Sequence, residues 1–122
     1  MTWVLVGVGG ALGSMARYGV GILTTRALGS PLPHATAIVN VVGCAIIGVL
    51  AGAMTTEQIR FSPEARAFVF LGVLGGFTTF SSLGLDTVML VQDGRAGQAL
   101  INVALQLALG LGAAFIGYTL AK

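Results

Sequence analysis

Four runs of apolar residues take up almost the whole chain. Each is close to the roughly 20 residues that an α-helix needs to cross a bilayer. They lie at about 3–23, 35–54, 65–91 and 96–120. The chain has 122 residues, of which 56% are hydrophobic and 8% charged, against about 25% charged in a soluble domain. This pattern specifies an all-α integral membrane protein with four transmembrane helices in a single domain, 1–122, and leaves no length for a soluble module. The first basic residue, Arg17, follows the first apolar run instead of preceding it. A cleaved signal peptide is therefore not expected, and the first span should stay in the mature protein.

The third run is interrupted. Gly75-Gly76-Phe77-Thr78-Thr79-Phe80-Ser81-Ser82 places two glycines and four hydroxyls between the apolar flanks Ala67–Leu74 and Leu83–Val91. Irregular backbone inside a bilayer is tolerated only where protein buries it or where it lines a polar cavity. The segment predicts a third helix broken at mid-membrane, a common way to build an ion site there. Upstream, Ser62-Pro63-Glu64 reads as a helix start, with Ser62 as N-cap and Pro63 in the first position. The prolines of 28–33 and the turn Gln92-Asp93-Gly94-Arg95 mark the other two connections.

Charge says little about orientation. With four spans, Arg60, Arg66 and Lys122 share one side, and Arg26 and Arg95, with Arg17 near its span end, fall on the other. The positive-inside rule needs an excess on one side, and this chain has almost none. Insertion in both directions is expected, and with it an antiparallel, dual-topology dimer about a two-fold axis in the membrane plane; a weakly biased single topology is the alternative. The pI of about 9.2 rests on few charges, so nucleic-acid binding is not inferred. No nucleophile–base pair or metal cluster appears, which argues against an enzyme. Cys44 is single and sits in an apolar run, where it reads as a small buried hydrophobe.

Glycine and alanine recur four residues apart at Gly9 and Gly13, at Gly48 and Gly52, and at Ala104, Ala108 and Gly112. Small residues at this spacing let membrane helices approach closely. The run Gly7 to Gly13 lacks the spacing, the preceding strand and the later acidic residue of a dinucleotide fingerprint.

Polar residues inside the spans are the candidate functional set. Arg17, beside Tyr18, reads as a snorkelling anchor or as the cation at the mouth of an anion path. Asn40 reads as helix glue or as an N–H donor to a passing anion. Thr78, Thr79, Ser81 and Ser82 supply hydroxyls at the break. Asp86 suits pairing with Arg17 or Arg95, or an aqueous vestibule. Asn102 and Gln106 share a helix face at i, i+4 and form a candidate polar track. Phe80 offers a ring edge of positive potential to a small, partly dehydrated anion. His34, in a loop beside Pro33, reads as incidental.

Taken in order, these residues resemble the CrcB/Fluc family of fluoride channels. The likeness rests on Gly9-Gly10-Ala11-Leu12-Gly13-Ser14-Met15-Ala16-Arg17-Tyr18, on Val39-Asn40-Val41-Val42-Gly43, and on Gly72-Val73-Leu74-Gly75-Gly76-Phe77-Thr78-Thr79-Phe80-Ser81. It covers essentially the whole chain. The resemblance implies a dual-topology dimer with two fluoride pores, passive selective export and fluoride resistance, in the plasma membrane of a prokaryote. It implies a structural sodium ion at the dimer interface, held by the backbone carbonyls of Gly75 and Thr78 of both subunits. It assigns Asn40, Phe80, Ser81 and Arg17 to the fluoride path, with Thr79 beside them. Two positions depart from the family pattern. Leu83 stands where a second phenylalanine is usual, and Asp86 where a glutamate is usual. One pore is then altered, and a heterodimer with a paralogous subunit is the alternative to a homodimer. A small four-span proton-coupled drug transporter fits less well, because such transporters use an acidic residue in span one and this span has none.

Overall fold

The computed structural model describes residues 1–29 and 33–122. Ser30, Pro31 and Leu32, in the first connection, lie outside the described residues. All regular structure among those described is helical. It comprises α1 (Thr2–Leu28), α2 (His34–Thr55), α3 (63–77), α4 (Phe80–Gln92) and α5 (Ala96–Ala121). Within α3 an opening turn, Pro63–Arg66, runs into a π-helical stretch, Ala67–Leu74, and closes as Gly75–Phe77. The Ser62 cap is present: its hydroxyl accepts from the Ala65 N–H at 3.1 Å, with Pro63 next in line.

Three stretches are long and apolar enough to cross a bilayer: His34–Thr55, Pro63–Gln92 and Ala96–Ala121. α1 has 27 residues, about 40 Å at the helical rise. Its apolar character is diluted by six glycines, Ser14, Arg17 and two late threonines. Length suits it to a span, whereas composition alone does not single it out.

Packing follows the glycines. α1 lies chiefly against α3, and α2 chiefly against α5. A Cβ at Gly9 would sit 2.7 Å from the Phe68 carbonyl oxygen, and one at Gly13 would strike the Val73 carbonyl. On the second seam, Gly48 and Gly52 face the backbone of Ala114 and Tyr118, and Gly117 faces the Ala45 carbonyl. Backbones this close leave no room for side chains, so the interior holds few large residues. Val39 is the one large side chain among those described that is essentially fully buried.

Within one chain the small-residue stripe of the last span is not the face that packs on α2. Ala104 and Ala108 are exposed, and nothing lies near Gly112. The face turned to α2 instead carries Gln106, Gly110, Ala114 and Gly117. Two residues along a helix is a turn of about 200°, so the two stripes lie on nearly opposite sides.

Candidate functional site

The helix break falls at Thr78 and Thr79, after the glycines. Gly75 keeps helical backbone, while Thr78 and Thr79 are extended at ψ 160° and 115°. The glycines serve contact: Gly76 lies against the backbone of Gly10 and Ser14 on α1. Gly43 on α2 makes room for the Thr78 methyl, since any Cβ there would strike it.

Thr79 restarts the chain as the N-cap of α4. Its Oγ1 accepts from the Ser82 N–H at 3.1 Å and donates to the Ser82 hydroxyl at 3.0 Å. Ser81 Oγ is 3.3 Å from the same oxygen. An N-cap hydroxyl satisfies one of the orphan donors at a helix start; here it also clusters three hydroxyls.

The peptide group of Thr79 is held from α2. Its N–H donates to Asn40 Oδ1 at 2.8 Å, and its C=O accepts from Asn40 Nδ2 at 3.0 Å. Asn40 Nδ2 also donates to Gln106 Oε1 at 2.8 Å, and Gln106 Nε2 donates to Asn102 Oδ1 at 3.0 Å. An asparagine NH2 carries two hydrogens, so both donors of Asn40 are engaged within the chain.

These bonds release two carbonyls. In an unbroken helix the Gly75 C=O would accept from the Thr79 N–H, and the Thr78 C=O from the Ser82 N–H. Both donors point elsewhere, to Asn40 Oδ1 and to Thr79 Oγ1. Gly75 is exposed on the single chain and Thr78 half-buried. Two freed carbonyl oxygens suit a hard cation with oxygen ligands. Among the described residues no cluster of His, Cys, Asp or Glu offers a competing metal site.

Thr79, 8% exposed, separates two open clefts. One, of about 470 Å³, brings Arg17 together with Thr79 and Ser82, and also with Ser14 and Thr36. The other, of about 320 Å³, gathers Asn40, Thr78, Thr79, Phe80 and Gln106 beside Leu83 and Cys44. Phe80 is 82% exposed, with its ring outside the single-chain interior. Leu83 is buried beside it. A third cleft of about 250 Å³ is lined by Asn102 and Gln106 together with His34 and Gln98.

Asp86 stands apart. It pairs with neither Arg17 nor Arg95; the only ion pair among the described residues is Glu57–Arg60 near the surface. Asp86 Oδ2 and Asn102 Nδ2 are buried atoms without a hydrogen-bond partner in the described chain. Ser14, Thr36 and Gln98 were not foreseen as lining residues. Ser14 stands one helical turn before Arg17 on the same face, which is the signal that would have found it.

The chain matches, over residues 4–118, the family model described as CrcB-like protein, Camphor Resistance (CrcB). It is 47% identical over 118 residues to a fluoride-specific ion channel FluC of Thermus thermophilus, covering 97% of this chain and 93% of that one. It is 45% identical over 117 residues to the FluC of Rhodospirillum centenum, covering 96% and 92%. It is 42% identical over 119 residues to the FluC of Rhizobium etli, covering 98% and 94%. Agreement of this depth along the full length places the chain, with its threonine break and its Asn40 clamp, in the CrcB family.

Proposed function

We propose that this protein is a fluoride-selective, passive ion channel of the plasma membrane that exports fluoride and confers resistance to it. The observation that carries the reading is the clamped break at Thr78–Thr79, set between a cleft holding Arg17 and a cleft holding Phe80. The names of its relatives supply the ion.

Four spans, with α1 as the first, and two copies inserted in opposite directions make the working unit. The balanced charge supports this. So do the large apolar side chains that a single chain leaves exposed, among them Trp3 at 90%, Leu71 at 69% and Phe115 at 71%; such faces belong against lipid or a second copy. Gly75 and Thr78 are the residues that would hold a structural sodium ion, because their carbonyls have lost their helical donors. When bound, that ion supplies a fixed positive charge between two anion paths.

The chain's own residues do the rest. Arg17 draws the anion into its cleft by charge. Thr79, Ser81 and Ser82 offer hydroxyls in place of water. Phe80 presents a ring edge rather than a fixed cation, so the anion is held weakly enough to leave, as conduction requires. No span-one carboxylate is present for proton exchange, and among the described residues Asp86 has no cationic partner. Passive flow is the mechanism these residues support.

Expression in a bacterium lacking its own fluoride exporter tests the reading. Growth in fluoride at concentrations that arrest the parent strain is expected. Arrest despite normal membrane levels of the protein would reject it.

A further inference from the structure

We propose that Gln106 is a positioning residue of the fluoride path, acting through Asn40 on the Thr79 peptide. The inference rests on the channel reading above and concerns how its break is held.

The hydrogen-bond directions are fixed by one peptide group. A backbone N–H only donates and a backbone C=O only accepts. The atom 2.8 Å from Thr79 N is therefore Asn40 Oδ1, and the atom 3.0 Å from Thr79 O is Asn40 Nδ2. The second hydrogen of that NH2 points to Gln106, whose near atom must then be Oε1, at 2.8 Å. Gln106 Nε2 is left to donate, and it meets Asn102 Oδ1 at 3.0 Å. The relay runs in one direction from the break to α5, with no ambiguity in any amide.

Two consequences follow. Both N–H groups of Asn40 are engaged in this arrangement, so it shapes the path by holding Thr79. Gln106 is what keeps it so: it is 5% exposed, and it needs an acceptor toward Asn40 and a donor toward Asn102 at once. An amide meets both needs. A neutral carboxyl does too, with its C=O and its O–H, whereas an ionised carboxylate has no donor and adds a negative charge beside an anion path.

That asymmetry gives the test. Fluoride efflux from liposomes is followed with an electrode for wild type, Q106M and Q106E at symmetrical pH values from about 8 to about 5.5, above the leak of protein-free vesicles. The carboxyl introduced by Q106E is the one titratable group that differs among the three proteins. His34 and Cys44 each line a cleft with Gln106, and Asp86 lies on α4, packed on α5; all are common to the three proteins, so wild type controls for them. The expected result is a rate in Q106M reduced about tenfold or more, equivalent to the loss of one well-placed hydrogen bond. Q106E is slow at high pH and climbs toward wild type as pH falls, within one folded sample. Equal rates in Q106M and wild type would overturn the proposal, as would a Q106E whose rate relative to wild type rises with pH. A wild type that passes no fluoride would instead reject the channel reading itself.

Discussion

The seam between α2 and α5 has two segments built on different physics. Around Gly48 and Gly52 the two backbones touch directly, and at Gly117 only a Val49 methyl joins the backbone contact. Around Asn40, Asn102 and Gln106 the gap is filled by amides bonded to one another and to Thr79. In lipid, burying apolar surface does little to choose between packed and separate helices, so close contact and satisfied polar groups must do it. The glycine segment can fix a distance between two rods. The amide segment can fix the orientation of a single peptide bond on a third element. The first is scaffold; the second, as proposed above, sets the path.

This contrast predicts different failures. The largest is expected from Gly13→Leu, on the α1–α3 seam, where the new side chain meets the Val73 carbonyl and the Phe77 amide and only backbone could yield. Overpacking of this kind costs about 1–3 kcal/mol or more. Loss of monodisperse protein in detergent is expected, whereas Gly112→Ala, in open space, should purify as wild type. Next comes Asn40→Ala. It strands the Thr79 N–H and C=O and the Gln106 carbonyl, at about 1–3 kcal/mol for each group left unpaired. Both a lower melting temperature and a loss of fluoride efflux are expected; a variant with intact efflux would show that the clamp does not shape the path.

Phe80→Ile should separate function from fold. The ring is 82% exposed on the single chain, so it adds little to that chain's own packing. Efflux should fall with the melting temperature nearly unchanged, and a full-rate variant would remove the ring-edge argument. The smallest effect belongs to Ser62→Ala, which loses the α3 cap at a cost of about 0.5–2 kcal/mol. It should lower the melting temperature slightly and leave the flux per folded protein unchanged.

Much of the fold was legible because hydrophobic run length and the Ser62-Pro63 start depend on local chemistry. The break in the third run was legible too, since hydroxyls and glycines in an apolar stretch have few other uses. Its position was not. Glycine reads as the breaker, yet Gly75 and Gly76 stay helical and the threonines break, because Asn40, 39 residues away in sequence, captures the Thr79 peptide. The face of α5 that packs on α2 was hidden for a related reason. Two small-residue stripes run along that helix, and only the partner helix decides between them. Asn102 and Gln106 could be placed on one face from spacing, but their link to Asn40 is a tertiary contact that no local pattern encodes. Asp86 suggested an ion pair on charge alone, and the fold gives it none.

The central claim is that the clamped break conducts fluoride. The most direct measurement is ion efflux from liposomes holding the purified protein alone, loaded in parallel with fluoride or chloride, after a potassium ionophore is added. The account predicts fast fluoride efflux with chloride retained. Retention of both ions by folded, inserted protein, or equal release of both, would contradict it.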